Sequence, residues 1–202
     1  MGEPLVYTPD NEPYLGLQSL LLFDLGIVDA MEGIGKIAPT GGVEYSDLQK
    51  AAIHLTPSGV TLALSIRELV RQGYLYGALA LTRPLLERSV TLRFLWKNPE
   101  KLALWNEGWP YDRRPRLWQM IKSMDEDNVV GKRDRLLDEI VHGSPAAFDP
   151  LSFVTDDGKP KIAIGRNLNR PDICDKVSDW AASALETLMD TSKEVFVRPK
   201  VQ

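Results

Sequence analysis

The chain has 202 residues, 44% of them apolar and 26% charged, with 24 basic against 28 acidic side chains and a formal net charge of −4. That length favours one compact domain, which buries roughly two-thirds of its extended surface without disulfide staples. The acidic balance excludes a generally basic nucleic-acid-binding surface, although not a local basic patch, and the lone Cys174 excludes a disulfide or a CxxC zinc site within one chain.

The opening stretch, MGEPLVYTPDNEPY, has neither the basic nor the apolar region of a secretory leader. With its single thiol, this predicts a cytoplasmic protein. Residues 1–12 read as an extended arm. Pro13 opens a predicted helix that carries Leu17, Leu20, Leu21, Ile27, Val28 and Met31 and ends near Gly33 and Gly35. The same segment holds Gln18, Asp24 and Asp29, so it is not expected to span or enter a membrane. Residues 38–43 read as a loop, and Ser46 caps a short helix to His54.

Thr56-Pro57 has the pattern of a fresh helix start, with threonine at the cap and proline at the first helical position. That helix should run to Gln72 and stop at Gly73. Residues 74–97 form the most apolar helix, and Asn98-Pro99 opens a short one to Trp105. Pro110 and Pro115 bracket an arginine-rich loop. Residues 117–124 and 128–142 are again helical, the latter closed by Gly143 and Pro145. Residues 151–165 break the pattern, and Asp157-Gly158 between apolar runs suggests a hairpin. Asn169 then caps a last helix that carries Ile173, Val177, Trp180, Ala184, Leu188 and Val195, followed by a tail at 198–202. The expected fold is all-α, an up-and-down bundle in one domain over 1–202, with a hairpin or irregular insertion near residues 151–165.

No Rossmann, phosphate-loop or GxSxG pattern occurs. Gly35-Lys36 fails as a phosphate loop, because Ala30 stands where the first glycine belongs and Ile37 where Ser or Thr should follow the lysine. Two polar stripes carry the functional candidates instead. On the helix 74–97, Tyr76, Ala80, Arg83, Glu87, Val90 and Phe94 share one face, with Leu81, Leu85, Leu92 and Trp96 opposite. A helix apolar on both sides is central, so Arg83 and Glu87 sit near the interior, four residues apart and able to pair. Pro84 disfavours helix at Arg83 and predicts a kink that turns the arginine toward a cleft. The plainer alternative is an ion pair that only fixes helix register.

The second stripe is Arg135, Asp138, Glu139 and His142 on the helix 128–142. It reads either as a solvated face or as chemistry. His142 can accept a proton while Arg135, two turns away, stabilises charge on a phosphate. Glu139-x-x-His142 has metal-ligand spacing, but His54 lacks a matching glutamate at residues 50–52, which leaves at most one ion on His142, Glu139 and Glu87. No metal and no cofactor are expected. Cys174 reads as a packed thiol. Trp96, Trp105, Trp109, Tyr111 and Trp118 interleave with Arg113, Arg114 and Arg116. This set either grips a single-stranded base or fills the core with arginines at its rim.

The stretch GYLYGALALTRPLLERSVTLRFLW resembles the central helix of a bacterial family of unknown function. That family pairs an R-P-L-x-E segment with a later V-H-G-S segment, here DEIVHGS. Its members are similar to the HEPN superfamily. The resemblance implies an all-helical fold in which Arg83, Glu87 and His142 recur. HEPN ribonucleases carry Arg-x4–6-His. Arg135-x6-His142 stands at the end of that range, with Leu136 where a polar residue usually follows the arginine. The resemblance also implies a homodimer. The expected function is a pocket of Arg83, Glu87, Glu139, Tyr76, Arg135 and His142 that binds or cleaves RNA or another phosphate-bearing ligand. Any such activity would be metal-independent and ribonuclease-like. The alternative is a non-enzymatic interaction module, such as a defence or toxin–antitoxin component.

Overall fold

A computed structural model describes residues 6–37, 44–110, 112–123, 128–142, 144–155 and 157–197. The loop expected at 38–43, Tyr111, Met124, Gly143 and the tail at 198–202 lie outside them. Among the described residues the helices are α1 (Gln18–Ile37), α2 (Asp47–Arg71), α3 (Leu75–Lys97), α4 (Leu102–Asn106), α5 (Leu117–Ser123), α6 (Asn128–Val141) and α7 (Pro171–Val197). A short hairpin, β1 (Ser152–Val154) and β2 (Pro160–Ile162), separates α6 from α7. The architecture is the all-α bundle that the apolar spacing predicts.

Three boundaries differ from expectation. The last helix, α7, begins at Pro171 with Arg170, not Asn169, at its cap position. Pro13 does not start α1. Gly16 adopts φ +93°, incompatible with a right-handed helix, and turns bring the chain to Gln18. Nor does Thr56-Pro57 start a new helix, because α2 runs straight through it. The true start is Ser46, whose hydroxyl accepts from Gln49 while the Gln49 side chain accepts from the Ser46 N–H. Thr56 is buried and shares a 2.5 Å hydrogen bond with Ser192 on α7. Proline removes one helical hydrogen bond. The buried row Ala51, Ala52, Val60, Ala63 and Ile66 holds both halves of α2 in line.

Gln72 ends α2 and Gly73 turns the chain with φ +77°. α3 is central. It packs against α2, α7, α6 and α5, with α1 lying mainly against α7 and also touching α2. Leu75, Ala78, Leu85, Leu92 and Leu95 on α3 are fully buried. At Gly59 the α2 backbone comes so near Leu188 of α7 that no side chain fits between them without movement.

A buried polar network ties down the N-terminal arm. Arg67 donates Nη1 and Nη2 to the two carboxylate oxygens of Glu12 at 2.7 and 2.6 Å, and Nε to Asp24 at 2.5 Å. Gln72 exchanges two hydrogen bonds with the Tyr7 backbone, at 2.9 and 2.8 Å. The Tyr14 hydroxyl donates to the Asn167 carbonyl.

On α1 the inward residues are Leu20, Phe23, Ile27 and Ala30. Leu21, Val28 and Met31, part of the same apolar spacing, are more than half exposed together with Leu22 and Leu25.

Candidate functional site

The two polar stripes meet. An open cleft of about 1090 Å³ lies between α3, α5 and α6, lined by Arg83, Glu87 and Thr91 from α3 and by Asp134, Arg135 and Asp138 from α6. The third side is closed by Arg114 and Arg116 from the segment leading into α5 and by Trp118 from α5 itself.

The α3–α6 wall is an ionic knot around one guanidinium. Arg83 Nη1 lies 2.6 Å from Asp138 Oδ1 and 3.5 Å from Asp134 Oδ1, and its Nε is 3.4 Å from Glu87 Oε1. Three carboxylates thus share one cation. α3 continues through Pro84, so the arginine reaches this wall from within the helix. Asp134 is buried. Loss of water raises its carboxyl above the usual range, Arg83 opposes the shift, and Asp138 and Glu87 add to it. Arg83 Nη1 and Asp134 Oδ1 are also buried without an aligned hydrogen-bond partner among the described residues. Orphaned polar atoms of this kind are uncommon in folded proteins.

His142 does not line the cleft. Its ring is 72% exposed, and Nε2 lies 3.3 Å from Asp138 Oδ1, the oxygen that also meets Arg83. Asp138 therefore links the imidazole to the guanidinium. Arg135, 84% exposed, lies 3.3 Å from Glu139 and borders the cleft, whereas Glu139 does not line it. The Tyr76 hydroxyl donates to the Ile140 carbonyl at 3.3 Å, which bolts α3 to α6 beside the site. Among the described residues no three His, Cys, Asp or Glu side chains are grouped to hold a metal, so His142, Glu139 and Glu87 do not form an ion site.

The opposite wall is the arginine–aromatic set. Trp96, Trp105 and Trp109 pack against the core, as filling side chains do. Trp118 is different, being 52% exposed at the cleft. Arg114 and Arg116 are exposed too, and neither side chain forms an ion pair among the described residues. The approach to this wall is strained. Gly108 and then Trp109 take left-handed conformations, φ +84° and +53°, the second costing about 1 kcal/mol or more for a side-chain-bearing residue. A second hollow of about 400 Å³ shares Asp112, Arg114, Pro115 and Gln119 with the first and adds Lys101 and Arg113.

Asp134 and Asp138 were the partners that spacing alone underrated. With His142 they form an i, i+4, i+8 ridge on α6, and that ridge was the available signal.

Residues 49–109 match a family of unknown function (DUF5677). The match takes in α2 from Gln49 onward, α3 and α4, with Arg83 and Glu87, and stops short of Trp118 and α6. No curated protein and no solved structure matches the chain. No helix among the described residues is long and apolar enough to cross a membrane.

Proposed function

We propose that the cleft binds single-stranded RNA, with phosphates on the arginine wall and bases toward the carboxylate wall. The observation that carries this reading is the pairing of exposed Trp118 with Arg114 and Arg116, cations without ion-pair partners among the described residues, on one side of an open cleft. Aromatic side chains stack any base, and guanidinium groups follow the backbone. Glu87 and Asp138 face them and can accept from exocyclic amino groups. The adjoining hollow with Lys101 and Arg113 supports a strand of several nucleotides over a mononucleotide.

The test is fluorescence anisotropy with labelled ten-nucleotide RNA, with ATP as competitor. Loss of one base stack or one phosphate contact costs about 1–3 kcal/mol, so W118A and the double variant R114A/R116A should each weaken binding roughly 5- to 150-fold. Absence of binding at 100 µM, or variants that bind as the wild type does, overturns the proposal and leaves the same wall as a protein-interaction surface.

Cleavage of the bound strand is a second reading, favoured by Asp138 bridging Arg83 and His142. With the scissile phosphate at the exposed Arg135, Nδ1 of His142 takes the 2′-hydroxyl proton as O2′ bonds to phosphorus, Arg135 stabilises the phosphorane charge, and the P–O5′ bond breaks with the departing oxygen protonated by water, leaving a 2′,3′-cyclic phosphate. Cleavage that survives EDTA, disappears in H142A and fails on a 2′-deoxy strand supports it. H142A cutting at the wild-type rate sinks it.

A further inference from the structure

We infer that Glu87 and Thr91 select guanine in the cleft, a choice that rests on single-stranded RNA lying there as proposed. The two residues stand one turn apart on α3, with roughly 6 Å between β-carbons so spaced, and both line the cleft across from Trp118. Glu87 is partly exposed and loosely held. Arg83 Nε donates to its Oε1 at 3.4 Å, and among the described residues its Oε2 accepts no hydrogen bond. A carboxylate has about four lone-pair sites, so most of this one's capacity is unspent. Thr91 differs from the other threonines of α2, α3 and α7. Thr56 bonds to Ser192, and Thr61, Thr82, Thr187 and Thr191 each donate to the carbonyl four residues back at 2.7–2.9 Å. The Thr91 hydroxyl makes no hydrogen bond among the described residues.

This part of α3 therefore offers two carboxylate oxygens and, one turn on, a hydroxyl. Guanine carries the matching edge. Its N1–H and 2-amino group are parallel donors that fit one carboxylate together, as the fork of an arginine does. Its O6 lies beside them and accepts from the threonine hydroxyl. The other bases fail at particular atoms. Adenine and cytosine place a ring-nitrogen lone pair, N1 or N3, next to their one amino group. Uracil flanks its single N3–H with two carbonyl oxygens. An ionised carboxylate only accepts, so each of those lone pairs is repelled. Asp138 is less suited to the task, because its Oδ1 already lies 2.6 Å from Arg83 and 3.3 Å from His142. Trp118 stacks any base and so adds affinity without choice.

Fluorescence anisotropy of the full chain tests this with labelled ten-nucleotide strands, all uridine or with one central G, A, C or inosine. The G strand should bind roughly 5- to 150-fold more tightly than the all-uridine strand, the span of a good bidentate base contact. The A and C strands should fall clearly below it. Inosine keeps N1–H and O6 but lacks the 2-amino group, and should lie between guanine and uridine. E87Q should bring the guanine-to-uridine ratio close to one, because its amide donates where the site must accept. T91V should lower that ratio roughly 2- to 10-fold. If every strand binds the wild type alike while W118A weakens them all, RNA binding stands and the inference falls. If no strand binds at 100 µM, both fall. Inosine matching guanine, or E87Q keeping the full ratio, also overturns it. Circular dichroism checks the variants, and should E87Q fail to fold, inosine and T91V give the same readout.

Discussion

Replacing Arg67 by methionine removes a cation from the most enclosed polar network in the molecule while nearly keeping side-chain length. Arg67 and Glu12 have side chains only 8% and 4% exposed. Asp24, at 41%, can return to water once its partner is gone, so most of the cost falls on Glu12. Arg71 remains near it, with Nε 3.8 Å away, too far for a full replacement. A carboxylate stranded in this way and its lost hydrogen bonds cost about 3–5 kcal/mol, the usual penalty for breaking a buried pair. For a chain of this size that lowers Tm by about 6–20 °C. Urea denaturation of wild type and R67M at pH 7 reads this directly. A loss under 1 kcal/mol refutes the reasoning.

Three further outcomes follow from single sites. The Asp134 carboxyl is raised by burial on folding, so its ionised form works against the fold above that raised value and has no effect below the unfolded one. D134N should therefore be at least as stable as the wild type at pH 7, an advantage that fades as pH falls toward 4; thermal melts across that range check it. Burial pushes the Cys174 thiol up to about 12, which leaves roughly one thiolate in 10,000 at pH 8. A disulfide reagent should thus leave the native protein untouched at pH 8 and react stoichiometrically in guanidinium. Rapid native labelling would place the thiol elsewhere. Gly73 combines φ +77° with Leu168 Cδ2 only 2.5 Å from where a Cβ would stand. G73A should cost about 1–3 kcal/mol and lower Tm by several degrees in calorimetry.

The sequence by itself determined the helices and the centre of the fold. Local signals suffice where the chemistry is local. Ser46 and Gln49 close their own capping box, Gly73 is needed for its own backbone angle, and a helix apolar on both faces, α3, has no stable place but the middle. Arg83 and Glu87 were readable for the same reason, being one turn apart on that helix. Tertiary structure decided what depends on neighbours distant in the chain. Thr56-Pro57 has the local form of a helix start, yet packing against α7 carries α2 through it. The apolar residues of α1 look alike in sequence, and only the position of α7 settles that Phe23 is covered and Leu25 is not. Arg67 gives no local sign that its partners lie 55 and 43 residues back. Whether the α3 and α6 stripes face one cleft, and whether Trp118 fills the core or borders that cleft, depends on how rigid helices cross. Side-chain spacing fixes which face of a helix is apolar, whereas crossing geometry fixes what that face meets.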